Sequence, residues 1–302
     1  MDFQLLREAH EHFLIYKYRS LCSLSSRTGI SFTLSIFPTL FLSHKTLLSH
    51  LSVLTMATCL VSNEPTINPL VAIVSETEAP LEIPHDVAEI VVVRHGETTW
   101  NCSGRIQGQL ESDLNEVGWK QAGAIAERLA TETKPAAIYS SYLKRAKYTA
   151  EMIAKKCHVH EVIEVPELKE RHVGSLQGLY WIDIQEKEPE AYHAFFSPEN
   201  DSEIPGGGES FNQLCERSLA ALYEIASRHK GERVIVVTHG GVLRAIYMAL
   251  TREAKAGKVL NASINVLHLS HEKWAFKSWS DVSHLNEVGF LQRGFNGDSL
   301  QC

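Results

Sequence analysis

The chain has 302 residues, a net charge of −7 and 44% hydrophobic residues. That length holds one large domain or two small ones, and the acidic balance argues against a nucleic-acid binder, whose contact face is basic, while allowing an anionic ligand in a local pocket of Arg and His. The six cysteines (Cys22, Cys59, Cys102, Cys157, Cys215 and Cys302) are scattered with no CxxC pair, so neither a zinc knuckle nor a disulfide framework is indicated, and a reducing compartment is the natural reading.

Residues 1–86 read as an N-terminal extension and linker, expected to be poorly ordered. Residues 12–63 contain no Asp or Glu but carry Lys17, Arg19, Arg27, Lys45 and many Ser and Thr. This is the composition of a transit segment for a plastid or mitochondrion, although Asp2, Glu8 and Glu11 depart from it. The other reading takes Met56 as the true start and gives a cytoplasmic protein. The apolar stretch from Gly29 to Leu42 is shorter than the ~20 residues of a membrane span and contains Pro38, so no stable span is expected. Pro65, Pro69, Pro80 and Pro84 mark the linker.

From 87 to 302 the pattern is that of a globular domain. Glu89-Ile90-Val91-Val92-Val93 is a β-branched run that predicts a strand buried on both faces. A helix over 115–131 follows, with Ala122, Ile125, Ala126 and Leu129 on one side. Next come a strand at 136–139, a helix over 143–155 and a strand at 162–165. A helix over 211–228, a buried strand at 233–237 and a helix over 242–250 complete the alternation. Strands at 264–269 and 274–276 close the chain, and the edge near Ile264–Leu269 is open to pairing. Alternating strands and helices predict an α/β fold: a mainly parallel sheet with helices on both faces.

Two histidines stand at equivalent places. Arg94-His95-Gly96-Glu97-Thr98 follows the strand ending at Val93, and Thr238-His239-Gly240-Gly241 follows the strand ending at Val237. Ligands of open α/β sheets bind beyond the carboxyl ends of the strands, and a following Gly lets the backbone approach a ligand closely. Either histidine alone is weak evidence; the pair, with Arg94 beside it, is stronger.

The first segment, continued through Thr99-Trp100-Asn101, resembles the Arg-His-Gly signature of the histidine phosphatase (phosphoglycerate mutase-like) superfamily. The match runs on in order through Arg105-Ile106-Gln107-Gly108, Leu114-Asn115, Ser140-Ser141-Tyr142-Leu143-Lys144-Arg145-Ala146, Glu170-Arg171-His172-Val173-Gly174 and His239-Gly240-Gly241. The chain is also similar to plant phosphoglycerate mutase-like proteins of that superfamily. The resemblance implies that His95 takes the phosphoryl group as phosphohistidine, splitting the transfer into two easier steps. It implies that Arg94, Arg145 and His239 stabilise the phosphoryl oxygens, and that their positive field keeps His95 unprotonated. Glu170 would give a proton to the leaving alkoxide and later take one from water. Asn101, Gln107, Gly108 and Gly240 correspond to positions lining the phosphate or its ester. No metal or other cofactor is implied.

Other motifs carry less. Cys157-His158-Val159-His160-Glu161 lacks the second ligand pair of a structural zinc site. Pro205-Gly206-Gly207-Gly208-Glu209-Ser210 lacks the Gly-Lys-Ser/Thr of a phosphate loop, although Glu209 and Ser210 are outside candidates for substrate contact. Cys102 has no activating base assigned to it and reads as a packing residue. Tyr180 and Trp181 either make the pocket rim apolar or pack the domain.

The resemblance also separates two reactions. Cofactor-dependent mutases of the family carry Glu-Arg-His-Tyr-Gly, Gly-Leu-Asn-Lys, an Arg-Arg pair and His-Gly-Asn. Here Val173 replaces the Tyr, Tyr180-Trp181 follow Gly178-Leu179, no Arg pair occurs between Trp181 and Pro205, and Gly241 replaces the Asn. Each lost cation removes a charge-assisted bond of ~1.5–3 kcal/mol to the substrate carboxylate. The expected function is therefore phosphomonoester hydrolysis of a small phosphorylated substrate, with a phosphoglycerate mutase and a catalytically silent phospho-ligand module as the alternatives.

Overall fold

The β-branched runs form the centre of a six-stranded sheet. A computed structural model describes residues 83–291; the extension, the transit-segment reading and the candidate start at Met56 lie outside the described residues. The strands are β1 (Val87–Arg94), β2 (Ala137–Ser140), β3 (Val162–Glu164), β4 (Arg233–Thr238), β5 (Ile264–Ser270) and β6 (Lys273–Asp281), in the spatial order β3-β2-β4-β1-β5-β6. β3, β2, β4 and β1 run parallel, while β5 pairs antiparallel with β1 and with β6. The mainly parallel sheet is as expected. The sheet edge differs: β5 is internal and β6 covers it.

Alternation along the strands builds two cores. Ile90, Val92, Val234 and Val236 face α6 (Phe211–Arg228) and α7 (Gly240–Thr251). Val91, Val93, Ile235 and Val237 face α2 (Glu116–Ala130) and α3 (Lys144–Lys156). The middles of these strands, Ile90–Val93 and Val234–Val237, are apolar at every position because both faces are covered. Asn115 starts α2 by accepting the Gly118 N–H on its side chain, and Ser210 starts α6 in a capping box with Gln213.

Three helices lie where no strong period was read: α1 (Thr99–Ser103), α4 (Ile184–Lys187) and α5 (Pro189–Phe195). The last two form a small third core, in which Ile184 and Ala191 pack with Ile106, Val173, Leu176 and Ile204. This patch roofs one side of the sheet's carboxyl end. Among the described residues no helix is long and apolar enough to cross a membrane; the stretch from Gly29 to Leu42 lies outside them.

Candidate active site

Four neighbouring strands deliver the candidate residues to one end of the sheet. β1 ends at Arg94 and β4 at Thr238, which are partners in register. His95 and His239 therefore emerge side by side, with ring centroids 5.2 Å apart. Arg145 lies in the first turn of α3, just after β2, on the far side of β4. Glu170 follows β3 through the turn Pro166–Leu168. All five side chains are buried, none more than 4% exposed.

The backbone holds both guanidiniums. Arg94 Nη1 donates to the Val259 carbonyl at 2.6 Å, and Arg145 donates from Nη1 to Leu110 O at 2.9 Å and from Nη2 to Gly108 O at 2.7 Å. Each keeps a buried Nε with no hydrogen-bond partner, and so does Nδ1 of His239. Buried donors are rarely left unpaired in native proteins, so three at one end of the sheet mark a place where an anion supplies the missing acceptors. His239 Nε2 lies 2.8 Å from Ser141 Oγ, which also accepts the Leu143 N–H. In the tautomer in which the Ser141 hydroxyl donates to Nε2, Nδ1 carries the ring proton and is a donor.

His95 is arranged the opposite way. Its Nδ1 donates to its neighbour's carbonyl, Gly96 O, at 2.7 Å, which leaves the Nε2 lone pair exposed to the pocket. Burial first, then the charges of Arg145 and Arg94, hold its pKa well below the usual 6.5. His239 is shifted the same way by burial, Arg145 and His95. Burial also draws Arg94 and Arg145 down to about 10, opposed by the Glu170 charge, and both remain cations near neutrality.

Glu170 Oε1 accepts the Arg171 N–H at 2.8 Å, and Oε2 accepts the Gly241 N–H at 3.1 Å from the first turn of α7. A Cβ on Gly241 would stand 2.3 Å from Glu170 Oε1. Glycine where the mutases carry Asn is thus required for this placement of the carboxylate. Arg217 of α6 fixes the segment, donating to the carbonyls of Glu167, Lys169 and Glu170 and to the Glu209 carboxylate.

The four lining candidates each make a different contact. Asn101 closes the capping box of α1, its Oδ1 accepting from Thr98 N and from Asn261 Nδ2. Gln107 is buried, and its Oε1 accepts from Thr98 Oγ1. Gly108 turns at φ +53° and presents its carbonyl to Arg145, so it orients that cation. Gly240 opens α7, directly after the N-cap His239.

Several readings change. Glu209 and Ser210 are struts: the Glu209 carboxylate accepts from Arg217 and from His172 N–H, and Ser210 caps α6. Cys102 is exposed, because its helix sits on the surface, and is not a packing residue. Trp181 packs against Phe195 in the third core, while Tyr180 stays at the surface with its ring against Arg105. Sequence reasoning assigned nothing to 259–263. Val259 anchors Arg94, and Asn261 Nδ2 donates to His95 O at 3.2 Å. A lone Asn in an irregular stretch gave no signal of this.

The sequence model of the histidine phosphatase superfamily (branch 1) matches residues 90–282. The chain is 71% identical over 219 residues to a metal-independent phosphoserine phosphatase of Arabidopsis thaliana, covering 72% of this chain and 92% of that protein. It is 52% identical to the phosphoglycerate mutase-like protein 4 of the same plant, over 70% of this chain and 94% of that one. A mycobacterial glucosyl-3-phosphoglycerate phosphatase, solved in complex with VO3, superposes with a TM-score of 0.56 at 33% identity, over 64% of this chain and 98% of that one. With its fold, its ordered motifs and these relatives, the chain belongs to the histidine phosphatase superfamily.

Proposed function

We propose that this metal-independent histidine phosphatase hydrolyses a small phosphomonoester of the phosphoserine class, with His95 as nucleophile and Glu170 as proton carrier. The observation that carries the reading is the convergence of three buried, unpaired donors, on Arg94, Arg145 and His239, around a histidine whose attacking nitrogen is kept unprotonated. The substrate class is taken from the phosphoserine phosphatase to which the chain is 71% identical.

The phosphoryl group sits among the three donors, which meet its oxygens before reaction and so lose little in reorganisation. His95 Nε2 attacks phosphorus, the P–O ester bond breaks, and the leaving oxygen takes the proton of the Glu170 carboxyl group. Water then attacks the phosphohistidine, Glu170 takes its proton, the P–N bond breaks and inorganic phosphate departs. Water as acceptor is favoured over a second substrate hydroxyl by two replacements: Val173, buried in the third core where mutases carry Tyr, and Gly241 in place of Asn.

The test is release of inorganic phosphate from O-phosphoserine with a chelator present. Wild type turns over and His95→Ala does not. Interconversion of 3- and 2-phosphoglycerate at ordinary enzyme rates, dependent on 2,3-bisphosphoglycerate, would overturn the reading in favour of a mutase; turnover surviving in His95→Ala would sink the mechanism.

A further inference from the structure

The irregular stretch before β5 lies against the nucleophile. Ile264 pairs with Val93, so residues 259–263 run antiparallel alongside Arg94, His95 and Gly96, past the last paired residue of β5. Three backbone contacts follow. Val259 O accepts from Arg94 Nη1, Ser263 O accepts the Arg94 N–H at 3.2 Å, and the Ala262 N–H donates to His95 O at 3.2 Å. Ala262 does so at φ +60° while fully buried. That left-handed conformation is unfavourable for Ala and persists only where the surroundings impose it.

Among these contacts stands Asn261, a buried side chain to which the mechanism gives no task. Its Nδ2 lies 3.2 Å from His95 O, 3.4 Å from Gly96 O and 3.2 Å from Asn101 Oδ1. The backbone settles which end of each amide is which. Carbonyl oxygens only accept, so the Asn261 atom facing His95 O and Gly96 O is the nitrogen. The Thr98 N–H only donates, so the Asn101 atom 3.1 Å from it is the oxygen. The two amides then meet nitrogen to oxygen. With Thr98 N and Asn261 Nδ2 on it, both lone pairs of Asn101 Oδ1 are filled, and the Thr98 hydroxyl hydrogen goes to Gln107 Oε1 at 3.1 Å. What the Asn101 amide still offers is its Nδ2 hydrogens. One nitrogen of Asn261 touches both the nucleophile's own peptide and Asn101, which places that amide next to His95.

We propose that Asn261 is a positioning residue: it locks the Asn101 side chain with the nitrogen toward the substrate, so that Asn101 meets the phosphoryl group as a donor and never as an acceptor. The role rests on the phosphatase reading above and deepens it. An amide turned by 180° would set its oxygen against the anion. His95 O keeps the Ala262 N–H in any case, so losing Asn261 leaves the nucleophile's carbonyl paired and the Asn101 amide free to turn.

The test reads kcat/KM on O-phosphoserine and the inhibition constant of inorganic phosphate. Asn101→Ala and Asn261→Ala each lower kcat/KM about 10-fold, the worth of one hydrogen bond to a charged group, and the double variant loses about 10- to 30-fold instead of the ~100-fold product of independent effects. Asn261→Asp keeps the shape but turns oxygens toward His95 O, Gly96 O and Asn101 Oδ1, so it is worse than Asn261→Ala, at about 100-fold. A side chain that only filled space would give the reverse order. Asn101→Asp keeps an acceptor for the Thr98 N–H and removes the donors. It raises the inhibition constant of phosphate about 30-fold or more at an unchanged urea midpoint, and it reads the donor face even if the Asn261 variants fail to fold. Losses that multiply in the double variant, Asn261→Asp milder than Asn261→Ala, or phosphate inhibition unchanged within about two-fold in Asn101→Asp overturns the positioning role while the phosphatase reading stands. A wild type that cleaves neither phosphoserine nor an aryl phosphate removes both.

Discussion

At the scale of single residues, the site is decided by which ring nitrogen of each histidine is engaged. Gly96 O takes the Nδ1 proton of His95, and Ser141 engages Nε2 of His239. Ser141 is fully buried yet conveys its effect through the imidazole, so it is a positioning residue. Ser141→Ala frees the His239 ring to adopt the other tautomer. We expect kcat/KM to fall about 10-fold or more, the worth of one oriented hydrogen bond. Ser141→Thr should restore most of it, and the acid limb of the pH profile should move in the Ala variant alone. Gly241→Ala tests the neighbouring carboxylate. Its new methyl group needs the space of Glu170 Oε1, so kcat should fall about 10²–10⁴-fold, the range for a misplaced general acid–base, with an unchanged circular dichroism spectrum. The histidines, arginines and Glu170 were legible in the sequence because they sit in ordered motifs. Ser141 stood inside one of those motifs without a role, since its hydrogen bond spans 98 positions.

At the scale of elements, strand ends bring the chemistry and helix starts hold it. The parallel strands and long helices were readable to within a few residues because burial on both sheet faces or on one helix face leaves a strong period. The helix read over 242–250 begins earlier, at Gly240, because two glycines carry no hydrophobic signal. The trailing strand read at 274–276 extends from Lys273 to Asp281, since an edge strand alternates weakly. Helices α4 and α5 were missed because 4 and 7 residues are too few to show a period. Helix α6 makes a further prediction. Arg217 joins it to the Glu170 segment through carbonyls and to Glu209 through a part-buried ion pair. Arg217→Met leaves the Glu209 carboxylate without this partner and the segment unanchored. The expected loss is ~2–4 kcal/mol in urea unfolding, together with a kcat decrease that tracks the displacement of Glu170.

At the scale of the molecule, the cradle sets how stability depends on pH. His95 and His239 are both held below their usual pKa in the folded chain, chiefly by burial, with Arg94 and Arg145 facing them and Glu170 opposing those charges. Unfolding restores ordinary histidines, which bind protons below about pH 6.5. The unfolded state therefore takes up more protons as pH falls from about 6.5 toward the folded values, and stability declines through that window. The urea midpoint should be lower at pH 5.5 than at pH 7.5, and His95→Asn should reduce the difference. A midpoint equal at the two pH values contradicts the assignment of two buried neutral histidines. The sequence pattern revealed the sheet, its two covered faces and the place of the site. It could not reveal the contact between Asn261 and Asn101, which lie 160 positions apart and meet only in the fold.

Rapid-quench trapping of the enzyme with 32P-labelled phosphoserine, chelator present, tests the central assignment most directly. The account predicts label that is acid-labile and stable to alkali, appears on His95 at up to one per chain, and is absent from His95→Ala. Turnover with no such label, or label that persists in His95→Ala, contradicts it.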